Sequence, residues 1–287
     1  MKEFPLFGPG GNSQSFYDAG YKSTEQAPAW LASLGLDAYE YEAGNGISAG
    51  DASLMRIGRA AQDAGIAISF HAPYFISLAS SDPEKRQKSI GYIATSLHAA
   101  ELLGANTVVV HMGGVAKMTR EEGMRLSAET LYELLDTVPD NGIKIGLETM
   151  GKVNQLGTLD EVLTLCTMDR RFAPVVDFGH LNARLCGAGA FAGKDDYMRV
   201  FDSIACALGD SAAINLHAHF SKIEYTGAGE KRHLTFADNV YGPDFEPLME
   251  AIAELGVTPT IICESAGTMA EDALSMKRYY GSLAEGK

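Results

Sequence analysis

The 287-residue sequence predicts a (β/α)8 barrel that occupies residues 1–287 as one domain. Short apolar or β-branched runs alternate eight times with amphipathic segments, at intervals of about 35 residues, as expected for parallel strands covered by helices. Hydrophobic residues make up 46% of the chain, enough for one large core. Several amphipathic segments stop at a glycine, among them Gly35, Gly104 and Gly256, where positive φ closes a last helical turn.

The eight predicted strands are extended apolar or β-branched runs, and the eight predicted helices show apolar residues at three- and four-residue spacing. The strands are expected at residues 5–8, 38–42, 66–71, 107–111, 144–148, 173–177, 214–220 and 258–264. The helices are expected at residues 24–34, 52–64, 83–103, 120–137, 159–168, 195–208, 245–255 and 269–283. Residues 221–244 form the longest predicted loop, and loops of this length usually carry function.

An open, doubly wound sheet is the alternative architecture, because the same alternation can build it. That fold normally has a glycine-rich phosphate-binding turn after its first strand. Residues 8–11 read GPGG, which lacks the GxGxxG order, and its proline has no N–H to donate. We therefore interpret this segment as a turn and favour the barrel.

Ionisable residues stand where predicted strands end. His71, His111, Glu148 and Glu264 each close such a run, and active sites of barrels lie at the carboxyl ends of the strands. The same level of the barrel would receive Asp177, His180 and either His217 or His219. A buried ring of carboxylates costs several kcal/mol per charge unless cations neutralise it. The pattern therefore predicts a metal site.

The types of these residues indicate which ions they would bind. Mixed imidazole and carboxylate ligands favour zinc, manganese or iron over magnesium or calcium, and the absence of thiolates argues against a structural zinc site. Seven or more candidate ligands exceed the needs of one ion, so two or three are expected. The four cysteines, Cys166, Cys186, Cys206 and Cys263, show no CxxC pairing and are predicted to be buried thiols of a cytoplasmic protein.

Five segments at the predicted strand ends resemble the endonuclease IV family of the xylose isomerase-like barrels. They read HAPY from residue 71, HMGG from 111, ETMGK from 148, DFGH from 177 and CES from 263. The resemblance covers nearly the whole chain in order. It implies hydrolysis of the phosphodiester 5′ to an abasic site in DNA, with three zinc ions.

The same resemblance assigns ligands and a rim residue. It implies a first zinc at His71 and His111, with Glu148 as a bridge to the second zinc. The second zinc would also take Asp177, Glu264 and a strand-seven histidine, for which His219 is preferred over His217. His180 and His233 would hold the third. The family places an Asp ligand two residues before the last histidine, whereas Lys231 stands there, and Glu230, three before, is the candidate for this acidic ligand. Tyr74 matches a residue near the abasic gap, and its alternative interpretation is an ordinary aromatic rim residue.

Sugar isomerases and epimerases of the same superfamily are the alternative. They use one divalent ion, such as manganese, which Glu148, Asp177, His219 and Glu264 would satisfy, with Glu148 and Glu264 also transferring protons. Those enzymes place a substrate-binding histidine three residues after the Asp, as His180 is here. A single-metal enzyme has no need of the histidines at positions 71, 111 and 233.

The charge balance bears on the substrate. The chain carries 23 basic and 37 acidic residues, a net charge of −14, and such a field repels phosphate. The segment of residues 44–51 contains no arginine that could enter a DNA groove. Candidate substrate contacts are Lys152, Lys222 and Arg232, with His217 and the further cations Arg184 and Lys231. No apolar run is long enough to span a membrane. The expected substrate is damaged DNA or, in the alternative, a sugar or sugar phosphate.

Overall fold

Eight parallel strands form the inner wall of the protein, as shown by a computed structural model that describes residues 3–187 and 191–285. All strand pairings within this sheet are parallel. The strands are β1 Leu6–Pro9, β2 Ala38–Glu42, β3 Ala67–His71, β4 Thr107–Val110, β5 Lys144–Glu148, β6 Phe172–Asp177, β7 His217–Phe220 and β10 Thr260–Cys263. They lie in the order β1-β10-β7-β6-β5-β4-β3-β2. The predicted (β/α)8 barrel is confirmed.

The ends of this sheet, β1 and β2, approach each other and complete the barrel. The amide of Asp37 donates a hydrogen bond to the carbonyl of Phe7 at 2.9 Å. Gly8 makes the close approach feasible, because a Cβ atom at this position would lie 1.8 Å from the carbonyl oxygen of Ala38. A side chain larger than hydrogen would therefore separate the two strands.

Helices surround the barrel, and four of the larger ones end at a glycine in the left-handed conformation, including the predicted Gly35, Gly104 and Gly256. The helices are α1 Gln14–Asp18, α2 Ala27–Leu34, α3 Asp51–Ala64, α4 Pro83–Leu103, α5 Arg120–Thr137, α6 Leu159–Cys166, α7 Phe178–Arg184, α8 Lys194–Leu208, α9 Asp210–Ile214, α10 Glu246–Leu255 and α11 Met269–Glu285. Apolar side chains between helices and barrel, such as Ile93, Leu131, Val176 and Ile252, are fully buried.

Some element boundaries differ from the predictions. The helix predicted over residues 24–34 consists of a 3-10 helix, Thr24–Gln26, followed by α2. Pro28 lies in the first turn of α2, where the missing N–H costs no hydrogen bond. The strand predicted over residues 214–220 begins only at His217, because Ile214 ends α9. The strand predicted over residues 258–264 is shortened to β10.

The predicted long loop of residues 221–244 contains an antiparallel hairpin, with strands β8 Ile223–Thr226 and β9 Gly229–His233. The hairpin packs against the loop that follows β5. The amide of Val153 donates to the carbonyl of Ala228 at 3.1 Å, and the amide of Glu230 donates to the carbonyl of Gly151 at 3.1 Å. These bonds hold the hairpin over one side of the barrel mouth.

The prediction of four buried thiols is correct for two cysteines. Cys166 and Cys263 are buried, whereas Cys186 and Cys206 are exposed. Cys206 lies on the outward side of α8, and Cys186 follows the end of α7, so neither faces the core. Within the described residues, no helix is long and apolar enough to cross a membrane.

Candidate metal centre

A cavity of about 540 Å³ opens at the carboxyl ends of the barrel strands. Most of the predicted site residues line it: His71, Tyr74, His111, Glu148, Lys152, His180, Glu230, His233 and Glu264. Asp177 and His219 are buried and complete the groups of metal-binding atoms beneath this mouth. Three groups of imidazole and carboxylate atoms lie at the mouth, and Glu148 belongs to two of them.

The first group consists of His71, His111 and Glu148. Oε2 of Glu148 lies 2.8 Å from Nε2 of His111 and 3.5 Å from Nε2 of His71. Nδ1 of His71 is 2.8 Å from the carbonyl of Ala72, and this contact turns Nε2 toward the carboxylate. Despite these short distances, Oε2 of Glu148 has no aligned hydrogen-bond donor. Two ligand atoms on one tetrahedral zinc lie about 3.3 Å apart, so the spacing suits a shared ion.

The second group consists of Glu148, Asp177, His219 and Glu264. Nδ1 of His219 lies 3.1 Å from Oε1 of Glu148 and 3.3 Å from Oε1 of Glu264. Oδ1 of Asp177 accepts a hydrogen bond from the amide of His180 at 2.7 Å and so caps α7. Oδ2 of Asp177 is buried with no hydrogen-bond partner in the described part of the chain. Glu148 belongs to both groups, as expected of a bridging ligand.

The third group consists of His180, Glu230 and His233. Nε2 of His180 lies 3.5 Å from Oε2 of Glu230. Nδ1 of His180 is 3.0 Å from the carbonyl of Thr149, which holds the ring. On His233, Nδ1 is 2.8 Å from the hydroxyl of Ser221. The hairpin therefore brings two ligand candidates to a histidine of α7.

A β-bulge explains how Glu230 replaces the Asp expected two residues before His233. In a regular strand, side chains two apart share a face, so Lys231 would have shared the face of His233. The β8–β9 pairing is irregular: Tyr225 pairs with Glu230 and Glu224 with Arg232. Lys231 is therefore the extra residue of the bulge, and Glu230 reaches the face of His233.

The donor set fits divalent metal ions. Each group contains one carboxylate oxygen that is buried without an aligned hydrogen-bond donor: Oε2 of Glu148, Oδ2 of Asp177 and Oε2 of Glu230. A buried, unpaired carboxylate is costly unless a cation neutralises it. Imidazole nitrogens adjoin each of these oxygens, and imidazole with carboxylate is a donor set that zinc, manganese and iron accept.

The pKa values of Glu148, at the end of β5, and Glu264, just after β10, are shifted in opposite directions. Burial opposes ionisation of Glu148, but the rings of His111 and His219 outweigh it and hold its pKa well below the usual range. Burial raises the pKa of Glu264 well above its usual range, although His219 opposes this effect. Burial also disfavours charge on His71, yet nearby carboxylates, chiefly Glu42, raise the pKa of His71 to about 10. Two neighbouring carboxyl groups thus prefer opposite protonation states.

Sequence reasoning missed two carboxylates on β2, Glu40 and Glu42. Glu42 lines the cavity, and its Oε2 accepts a hydrogen bond from the hydroxyl of Tyr74 at 3.1 Å. Glu40 is completely buried below it. Their spacing of two residues in a predicted strand was the available signal, because it places both side chains on one face.

Tyr74 forms part of the rim of the cavity. Its ring stacks on His111, with centroids 5.4 Å apart and planes 21° apart. Burial and the negative charge of Glu42 raise the pKa of the Tyr74 phenol well above its usual value. The hydroxyl group therefore stays protonated and donates its hydrogen to Oε2 of Glu42.

The two histidines of β7 occupy different layers. His219 pairs in register with Asp177 and belongs to the second group. His217 lies beneath it, outside the lining of the mouth, with Nε2 2.9 Å from Oε2 of Glu40. Of the two candidates, His219 is therefore the one that reaches the mouth carboxylates.

Of the predicted basic contacts, Lys152 lines the cavity and the others contact protein groups. Lys222 is nearly buried, and its Nζ lies 2.9 Å from Oδ1 of Asp244. Arg232 points away from the mouth and donates to Oε2 of Glu224 at 2.6 Å, where Lys231 binds the other oxygen.

The Arg184 side chain binds the backbone of the loop that follows β5. Its guanidinium donates to the carbonyls of residues 150, 152, 153 and 155, at 2.8 to 3.1 Å. Arg120 donates to two of the same carbonyls and to Glu161. These two arginines therefore position the loop that presents Lys152.

Comparison with known proteins agrees with the barrel fold. A sequence model of the xylose isomerase-like TIM barrel family matches residues 28–279. This chain belongs to the xylose isomerase-like TIM barrel family. The family resemblance predicted from the strand-end segments is thereby confirmed.

Relatives within the xylose isomerase-like family include proteins named as nucleases. An uncharacterised protein of Methanocaldococcus jannaschii is 29% identical over 251 residues, covering 87% of this chain and 89% of the relative. A protein named probable endonuclease 4, from Acholeplasma laidlawii, is 29% identical over 177 residues. That alignment covers 61% of this chain and 59% of the relative.

Solved structures of two kinds share the fold. Endonuclease IV from Thermus thermophilus matches with a TM-score of 0.68 at 19% identity, covering 99% of this chain and all of that one. A D-tagatose 3-epimerase-like protein matches with a TM-score of 0.68 at 20% identity, covering 88% of this chain and 90% of that one. At these identities the likeness concerns the fold alone.

Proposed function

We propose that this protein is a metal-dependent phosphodiester hydrolase with a centre of two or three ions, zinc being the first candidate. The observation that supports this proposal is the presence of two further groups of metal-binding side chains beside the second group, which alone would serve a single-ion enzyme. His71 and His111 adjoin Glu148 on one side of the second group, and His180 and His233 adjoin Glu230 on the other. The resemblance of the strand-end segments to the endonuclease IV family makes an abasic site in DNA the first candidate substrate, and relatives named probable endonuclease 4 support a nuclease.

The chemistry of such a centre assigns roles to residues of this chain. Divalent ions bound here would supply Lewis acidity toward a phosphate ester. Glu148 places Oε2 in the first group and Oε1 in the second, so its carboxylate would help to hold an ion in each. Lys152 can bind a phosphate oxygen at the cavity wall. The protonated Tyr74 hydroxyl donates a hydrogen bond at the rim.

Metal content provides the first test. We expect two or three ions per chain by elemental analysis of the purified protein, and loss of at least one in His111→Ala. His98→Ala is the matched control, because His98 is exposed on α4 and pairs with Asp51 at the surface. One ion per chain, unchanged by His111→Ala, would contradict the multinuclear centre.

Activity provides the second test. A duplex with a single abasic site should be cleaved, whereas the intact duplex of the same sequence should not. His111→Ala should lose most of the cleavage and His98→Ala should retain it. A fully loaded protein that leaves abasic DNA uncut would contradict DNA as the substrate.

A single-metal isomerase or epimerase, acting on a sugar or sugar phosphate, is the second candidate. It is favoured by the second group, in which Glu148, Asp177, His219 and Glu264 bring three carboxylates and one histidine within reach of a single ion. An ionised carboxylate can remove a proton from carbon while a protonated one returns a proton. Manganese-loaded protein incubated with ketoses in D₂O would then incorporate deuterium at carbon, and His111→Ala would retain this exchange.

A further inference from the structure

We propose that Glu40 is a positioning residue that orients the ring of His219 toward the metal-binding atoms of the second group. This inference rests on the metal centre proposed above. Glu40 lies on β2, across the barrel from β7, and is completely buried. Its Oε1 is 2.9 Å from Nε2 of His219. The side chains of Glu40 and His219 are both fully buried, so water does not compete for this contact.

The His219 ring connects Glu40 to the proposed centre. Nε2 faces Glu40, while Nδ1 on the other side lies 3.1 Å from Glu148 and 3.3 Å from Glu264. A histidine that gives one N–H to a carboxylate keeps the lone pair of its other nitrogen for a metal ion. Contact with Glu40 therefore selects the ring form in which Nδ1 can bind the ion.

Oε1 of Glu40 is the acceptor within reach of the Nε2–H group of His219. Nε2 of His219 and Oε1 of Glu40 are both buried, and neither has another aligned hydrogen-bond partner among the described residues. At 2.9 Å they are within reach, although the N–H is not aligned with the oxygen. Forming this bond requires a rotation of the ring that points the N–H at the oxygen.

The other oxygen of Glu40 is held in place by two donors. The hydroxyl of Ser69 donates to Oε2 at 2.7 Å, and Nε2 of His217 lies 2.9 Å from the same oxygen. These contacts fix the carboxylate plane, so Oε1 remains directed at His219. They also account for His217, which does not line the mouth.

A separate metal ion between Glu40, His217 and His219 is the competing explanation, because these three could also form a ligand group. The geometry favours positioning. Oε2 of Glu40 accepts from Ser69 and is aligned with Nε2 of His217, which leaves Oε1 of Glu40 and Nε2 of His219 as the two atoms open to an ion, fewer than the three or four protein ligands of a zinc site. The experiment below separates the two explanations by the number of ions bound.

Cobalt(II) binding to the full chain tests the role of Glu40. Wild type, Glu40→Gln and the exposed control Glu129→Gln are titrated with Co²⁺, and both the visible absorption and the affinity against a chelator are measured. We expect Glu40→Gln to bind as many ions as wild type. One ion should bind roughly 10- to 100-fold more weakly, with an altered absorption band. Glu129→Gln should match wild type in both readouts.

Three outcomes would overturn the proposal. The first is a folded Glu40→Gln with wild-type affinity and absorption. The second is loss of one entire ion with the remaining bands unchanged, which would make Glu40 a direct ligand. If Glu40→Gln fails to fold, Ser69→Ala decides, because it removes one hydrogen bond to Glu40 and leaves the carboxylate in place. We expect Ser69→Ala to weaken the affinity for the same ion several-fold. An unchanged affinity is the third outcome that would overturn the proposal.

The test separates this inference from the proposed function. The number of ions bound by wild type reports on the multinuclear centre. The comparison of Glu40→Gln with wild type concerns only the ion at His219, which both candidate functions use. A wild-type protein with a single ion would therefore contradict the hydrolase while leaving the role of Glu40 open to the same measurement.

Discussion

Glu230 and His233 are three residues apart on β9, yet both contribute to the group formed with His180. The bulge at Lys231 is the cause, since it adds one residue between two positions that would otherwise be two apart. Removing Lys231 should therefore leave the group intact, whereas a change of Glu230 should not.

We expect Glu230→Gln to lose about one ion per chain, because the neutral amide no longer supplies a charged ligand. A chain lacking Lys231 should retain the wild-type number, since regular pairing puts Glu230 and His233 on one face. The ion pair between Lys231 and Glu224 is at the surface and contributes less than about 1 kcal/mol to stability. Elemental analysis of both variants checks this. Loss of an ion from the deletion variant would show that the bulge itself shapes the group.

Glu161→Gln should destabilise the protein by about 1–3 kcal/mol near neutral pH. The Glu161 carboxylate accepts from Arg120 at 2.6 and 2.7 Å and from the amides of Gly157 and Thr158. Burial opposes its charge, but these donors prevail and lower its pKa.

The pH dependence follows from the sign of this shift. A carboxylate whose pKa is lower in the folded than in the unfolded state stabilises the fold above its unfolded pKa, and this contribution is lost as the pH falls. The difference in unfolding free energy between wild type and Glu161→Gln should be full at pH 7 and shrink below about pH 4. Urea unfolding at several pH values measures it, and a difference that grows in acid would contradict the interpretation.

Thiol labelling should divide the four cysteines into two pairs. Cys186 and Cys206 are exposed and should react with a small alkylating reagent in the native protein. Burial raises the pKa of the Cys263 thiol to about 12 and also that of Cys166 well above its usual value. Because the thiolate is the reactive form, both should stay unmodified at pH 8 and react only after unfolding. Mass spectrometry of labelled peptides gives the result.

Gly8→Ala should prevent the barrel from closing. The added Cβ would meet the carbonyl of Ala38 at 1.8 Å, and backbone on both sides leaves little room for adjustment. We expect destabilisation above about 3 kcal/mol, or loss of soluble protein. Gly281→Ala is the control, because nothing lies within 4 Å of a Cβ at that position of α11. Thermal unfolding compares the two variants.

Lys152→Ala distinguishes the candidate substrates. If Lys152 binds a phosphate oxygen, its removal should lower kcat/KM on a phosphodiester by roughly 10- to 100-fold, as expected for a lost hydrogen bond to a charged group. Activity on an uncharged sugar should change little. Lys88→Ala, at an exposed position of α4, is the matched control. An equal loss on both kinds of substrate would assign Lys152 to the shape of the loop.

Local sequence patterns are enough to predict the barrel and the level at which most candidate ligands lie. Alternating strands and helices are local patterns, and the carboxyl ends of parallel strands meet at one mouth. His71, His111 and Glu148 therefore come together once the strands are recognised. The same reasoning placed Asp177 and Glu264 beside them.

The residues that complete and support the site, by contrast, depend on contacts between distant parts of the chain. Glu40 faces His217 and His219 although it is 177 residues away from His217 in sequence, and no local pattern predicts such a contact. The position of Glu230 depends on one bulge, which strand periodicity does not predict. Lys222 and Arg232 carry the charge that phosphate binding requires, but acidic neighbours contributed by the fold engage them instead. Local patterns determine where strands end, whereas packing between distant segments determines what each side chain meets there.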